Sequence, residues 1–249
     1  MHVGVGRVLL VSARRRHRAP GDDRGVGVSV AERVAGVRAR IERAARESGR
    51  NADDVTLVAV SKTIPAEIVQ EAVQAGVQDL GENRAQELTP KAEALAAGGF
   101  DVRWHFVGRL QRNKVHGVAP YVSLWQSVDR SEIADAIAGH APGAAVLVQV
   151  NVGDEAQKGG CAVSETTVLI EHCRSAGLDV QGLMTVPPAE GDPRPWFAML
   201  RQLVDDNGLT TCSMGMTGDF EAAISEGATM VRVGTAVFGP RPTEPDARR

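Results

Sequence analysis

The sequence predicts a closed (β/α)8 barrel, and three observations lead there. Eight short β-rich runs follow one another along the chain, and stretches of helical pattern separate most of them. Such alternation specifies a parallel sheet with right-handed crossovers, and eight units is the number that closes a barrel. The length of 249 residues suits one such domain and allows a full hydrophobic core. An open doubly wound sheet is the alternative that the alternation alone leaves standing.

The elements follow in order. A helix is predicted over Val30–Ser48, because Val30, Val34, Val37, Ile41 and Ala45 repeat at the spacing of one helix face and Gly49 stops the run. The β-rich runs are 55–62, 78–83, 102–108, 122–129, 144–153, 179–186, 209–216 and 228–239. Helical stretches between them are Ala66–Ala75, Arg84–Ala96, Ser131–Ile137, Val163–Ser175, Trp196–Asp205 and Phe220–Ser225. Pro65 suits a helix start, Gly76 and Gly177 suit helix ends, and Ser131 and Asp219 are candidate N-caps.

Composition excludes several classes. The chain carries 28 basic and 31 acidic side chains, so no basic surplus marks it as a nucleic-acid binder. No run of about 18 uncharged apolar residues is present, so no membrane span is expected. Three cysteines, Cys161, Cys173 and Cys212, lack metal-ligand spacing and suit a reduced, cytoplasmic protein. Residues 1–27 hold six arginines against two aspartates and read as a disordered basic arm or an over-long start. Residues 28–241 form the expected barrel, and 242–249 read as a frayed tail.

In a barrel of this kind the site lies at the C-terminal ends of the strands, which gathers scattered residues into one constellation. Those ends offer Lys62, Asn83, His105, Met184, Ser213, Gly215, Met216, Arg232, Gly234 and Thr235. Lys62 closes the apolar run LVAVSK. There an amine is desolvated and able to form a Schiff base with a carbonyl, or it snorkels to solvent. SMGM (213–216) and VGT (233–235) fall after strands seven and eight, where barrels often seat phosphate. Arg232, inside an apolar strand, needs a partner: an anion, a ring nitrogen or a structural ion pair. His105 is a base, a ring-stacking group or a satisfied core histidine. Strand one neighbours strand eight in a closed barrel, so Lys62 lies close to the glycine turns. A lysine beside a phosphate cradle points to a phosphorylated aldehyde, pyridoxal 5′-phosphate, with an aldolase-type sugar-phosphate site as the alternative.

Four blocks in order carry a family resemblance: VAVSKTIP with LGENRAQEL, WHFVGRLQRNK, GLMTVPP, and SMGMTGDFEAAISEGATMVRVGTAVFGPR. They resemble the pyridoxal phosphate homeostasis protein family across residues 28–241. The resemblance implies a fold-type III pyridoxal-phosphate barrel, similar to the N-terminal domain of alanine racemase but without its C-terminal β domain. It implies that Lys62 is the Schiff-base lysine and that Ser213, Gly234, Thr235 and backbone near Gly215 and Met216 hold the phosphate. It places Arg232 at the pyridine nitrogen, and Asn83, His105 and Met184 around the ring. Lys158 resembles a family lysine concerned with cofactor handling. One departure stands out: Ile64 occupies a position where members often carry a second lysine. The implied role is to buffer and deliver the cofactor, to apo-enzymes that use it, without turnover, as a monomer or weak dimer. A racemase or lyase of the same fold is the alternative. It is disfavoured because a racemase needs a second acid–base face, and the chain's single tyrosine, Tyr121, is predicted at the start of strand four.

Overall fold

The computed structural model describes residues 27–155 and 158–240. The basic arm up to residue 26 and the 242–249 tail lie outside them. The predicted barrel is present. Strands β1 (Thr56–Val60), β2 (Asp79–Glu82), β3 (Arg103–Phe106), β4 (Val122–Val128), β5 (Ala145–Gln149), β6 (Asp179–Met184), β7 (Thr211–Ser213) and β8 (Met230–Val233) pair in chain order as a closed barrel. All pairings are parallel, and β1 closes on β8 through Thr56–Met230 and Ala59–Val233.

Helices α1 (Val30–Glu47), α2 (Ala66–Gln74), α3 (Ala85–Ala97), α4 (Val115–Val118), α5 (Ser131–His140), α6 (Thr166–Ser175), α7 (Arg194–Asp206), α8 (Phe220–Ser225) and α9 (Thr235–Phe238) complete the described elements. The predicted stripe of α1 is buried, and Ser29 caps the helix in a reciprocal box with Glu32. The helix packs on α8 and α9, where Arg40 forms a two-point ion pair with Glu221 at 2.6 and 2.9 Å. Gly49, Gly76 and Gly177 all have positive φ just past helix ends, as their positions suggest.

Two readings need correction, and one short helix is additional. The run 228–239 is not one strand: it stops at Val233, and Thr235–Phe238 coil into α9, because Gly234 turns the chain at the barrel rim. Ser131 is the first residue of α5 and Arg130 occupies the cap, without a side-chain cap bond. The short α4 between β3 and β4 has too few residues to show a helical period.

Two packing layers result. The large core lies between strands and helices, and a smaller cluster of Val58, Leu124, Leu147, Met184 and Met230 fills the barrel interior. Among these apolar residues the barrel also buries His105, Gln126, Gln149, Ser213 and Arg232. Buried polar groups need partners, so this interior is where chemistry is to be sought. All three cysteines are free and buried, and desolvation pushes their thiols up, to about 11 for Cys161 and about 12 for Cys173 and Cys212. They are therefore poor nucleophiles. No described helix is long and apolar enough to cross a membrane.

Candidate functional site

β1 delivers Lys62 to the C-terminal rim two residues past Val60. Because β1 pairs with β8, the residues after each strand meet: Lys62, Ile64, Gly234, Thr235, Phe238 and Gly239 line one small cleft. Helix geometry leaves the first amides of α9, Thr235 and Ala236, without intrahelical acceptors at the rim.

The peptide around Lys62 is held from below. Ser61 is buried, and its hydroxyl donates to Glu82 Oε1 at 2.7 Å. Lys91 Nζ donates to Glu82 Oε1 at 2.6 Å, to the Ser61 carbonyl at 2.7 Å and to Glu87 Oε2 at 3.3 Å. Glu87 in turn accepts the Thr63 amide at 2.6 Å, and Thr63 sits at a φ of 64° that a β-branched residue rarely adopts. Glu82 is fully buried, and that burial raises its carboxyl against the lowering effect of Lys91. Glu82 ends β2 and is part of the support under Lys62. The sequence held a signal for this: Lys91 lies on the apolar face of α3 with Leu88, Ala92 and Leu95.

Arg232 rises from β8 inside the barrel, 5% exposed. It donates to Ser213 Oγ and to the Thr185 carbonyl, both at 2.7 Å, and among the described residues it forms no ion pair with a carboxylate. Desolvation lowers it to about 10, so it stays protonated at neutral pH. Of the three partners considered for it, a structural ion pair is therefore not the one present. Ser213 Oγ in turn donates to Gln126 Oε1 at 2.7 Å. His105 is buried in the barrel interior, with Nε2 at 3.0 Å from Asp79 and Nδ1 at 2.7 Å from Gln126. Both ring nitrogens are thus engaged below the rim, the satisfied-core arrangement of the alternatives weighed for it. Asp79 also takes both ends of the Arg103 fork at 2.7 Å. Burial pushes the Asp79 carboxyl up, but the bonds and charges of His105 and Arg103 outweigh it and leave it lowered.

The other predicted residues fall in four places. Met184 is in the apolar interior beneath the rim. Asn83 follows β2 and lines a cleft of its own with Arg84, Phe106, Arg109 and Lys114; its Oδ1 is buried without a hydrogen-bond partner. Lys158 bonds the Pro187 carbonyl at 2.6 Å and pairs with Glu155 at 2.5 Å, lining a cleft with Met216 and Asp219. Gly215 joins β7 to the loop before α8 with φ 89°, and a Cβ there would lie 2.6 Å from Ala223 Cβ and 2.9 Å from Phe220 Cα. Gly215→Ala is therefore expected to cost about 2–4 kcal/mol from strain and overpacking. A shift in the urea midpoint measures it, and an unchanged midpoint would contradict the close approach.

A barrel whose strand-one lysine shares a cleft with the turn after strand eight, above a buried arginine, defines a class of cofactor-binding barrel. The family model for the alanine racemase N-terminal domain matches residues 35–242. The pyridoxal phosphate homeostasis protein of Pseudomonas aeruginosa is 44% identical over 223 residues, covering 86% of this chain and 96% of the relative. That of Aquifex aeolicus is 41% identical over 228 residues, 86% and 99% of the two chains. The structure of PipY from Synechococcus elongatus with pyridoxal phosphate bound superposes with a TM-score of 0.71 at 30% identity, covering 85% of this chain and all of that one. Alanine racemase from Corynebacterium glutamicum shares the fold, with TM-score 0.63 at 15% identity over 84% of this chain and 62% of its own. The chain belongs to the alanine racemase N-terminal domain family and, within it, to the pyridoxal phosphate homeostasis proteins.

Proposed function

We propose that the chain holds pyridoxal 5′-phosphate at the barrel rim, buffers it and releases it to apo-enzymes, with no turnover of its own. The observation that carries this reading is the shared cleft of Lys62, Gly234 and Thr235 together with a buried arginine that, among the described residues, forms no ion pair with a carboxylate. The donor set fits the group. An amine suits an aldehyde, rim amides and a hydroxyl suit a phosphate, and a guanidinium suits a ring nitrogen. The unpartnered Asn83 Oδ1 has acceptor capacity to spare. PipY, with pyridoxal phosphate bound, supports the same reading.

When bound, the cofactor supplies a carbonyl for a lysine amine and an electron sink whose strength follows the protonation of its ring nitrogen. Lys62 would hold the aldehyde end of the cofactor. Gly234 and Thr235, with backbone at Gly215 and Met216, would hold the phosphate, and Ser213 braces Arg232. Arg232 would donate to the ring nitrogen, which would favour its unprotonated form and a weak sink. Asn83, Met184 and His105 would line the ring. Lys158, on a cleft of its own, would assist entry and release.

Racemase or lyase chemistry needs a second acid–base group facing the substrate carbon. His105 has both nitrogens engaged. Tyr121 lies at the N-terminal end of β4, opposite the rim, where it donates to Glu93 at 2.9 Å. The test has three arms. The purified protein is expected to gain a visible absorption band with the cofactor, to lose it to borohydride, and to reactivate an apo-enzyme when mixed with it. A panel of amino acids should be left unchanged. Failure to take up the cofactor, or robust Lys62-dependent turnover, would overturn the reading.

A further inference from the structure

The polar groups inside the barrel form one continuous chain: Arg232, Ser213, Gln126, His105, Asp79, Arg103. Its direction follows from donor chemistry. Arg232 can only donate, so Ser213 Oγ accepts from it and turns its own hydrogen toward Gln126 Oε1. That fixes the Gln126 amide, whose Nε2 then donates to His105 Nδ1 and to Met230 Sδ. His105 Nδ1 is therefore an acceptor, the ring carries its hydrogen on Nε2, and that hydrogen goes to Asp79. Each link from Arg232 to Asp79 donates in the same direction, and the chain ends on that carboxylate, which Arg103 anchors from the other side. Ser213, Gln126, His105, Asp79 and Arg232 are all buried, so this order is not exchanged with water.

We propose that Gln126, His105 and Asp79 are positioning residues. On the reading that Arg232 meets the ring nitrogen, they orient its guanidinium through Ser213 and so set the strength of that one contact. A one-way chain holds the guanidinium, which among the described residues forms no ion pair with a carboxylate, leaving an N–H for the ligand. A hydrophobic residue at 126 or 105 breaks the chain, whereas a glutamine at 105 keeps an acceptor toward Gln126 and a donor toward Asp79.

The experiment compares the affinities of the full-length protein for pyridoxal 5′-phosphate and for its 1-deaza analogue, which has carbon in place of the ring nitrogen. Gln126→Leu and His105→Met are expected to weaken the parent cofactor about tenfold, the scale of one charge-assisted hydrogen bond, and the analogue less than about twofold. His105→Gln should retain the wild-type ratio, which keeps the test open where an apolar variant folds poorly. Equal weakening of both compounds, or no change in either, would overturn the positioning role and leave the site reading intact. If the wild-type protein bound neither compound, the site reading would fall and the proposal with it.

Discussion

Lys62→Ala is expected to remove the visible band of the bound cofactor, remove borohydride fixation, and weaken binding at least about a hundredfold, or about 2.7 kcal/mol. The reason is specific to this cleft. Lys62 supplies the amine that lines it together with Gly234 and Thr235. Lys91, the other lysine close in sequence, has its ammonium occupied by Glu82, Glu87 and the Ser61 carbonyl. Lys158 is bound to Glu155 and the Pro187 carbonyl over a different cleft. Neither can replace the lost amine without breaking its own bonds. Weak, non-covalent uptake should survive, because the rim amides and Arg232 are untouched by the substitution. Absorbance titration, and mass spectrometry of the borohydride-reduced peptide, check both halves. A band of normal intensity in the variant would move the covalent site elsewhere.

The second large effect is on stability. Lys91→Met is expected to destabilise the fold by about 3–5 kcal/mol, because it strands the Glu82 carboxylate in a fully buried position. For a domain of this size that is roughly 6–20 °C in Tm. The double variant Lys91→Met with Glu82→Gln should recover most of the loss. The new amide can accept from the Ser61 hydroxyl and donate to the Ser61 carbonyl that Lys91 vacates. A double-mutant cycle in urea measures the coupling, and additive losses would refute it. The single variant should also loosen cofactor binding, since Glu87 and Lys91 pin the peptide on either side of Lys62.

The barrel was legible because alternation and element count are properties of long stretches, and the helix stripe of α1 is a periodic signal that packing preserves. The juxtaposition of Lys62 with Gly234 and Thr235 was legible too, since it follows from strand one closing on strand eight. What lay beyond reach was the direction in which each interior side chain points. His105 is one residue from the end of β3, and only the twist and stagger of the strands turn it toward Asp79 and Gln126 rather than to the rim. Gln126 carried no signal beyond being one of two polar residues in the run LWQSV, and Asp79 reads as an ordinary strand start. The boundary of β8 failed for a local reason. AVF has the composition of a strand, and the turn at Gly234 decides otherwise.

The closure of β1 on β8 has a consequence for how the protein comes into being. Lys62 and the turn that faces it follow strands β1 and β8, so their meeting requires most of the described chain. Contacts this distant in sequence are the slowest to form and await the completion of synthesis. During translation the growing chain therefore carries Lys62 without the turn that faces it, and the cleft can assemble only after β8 has been made.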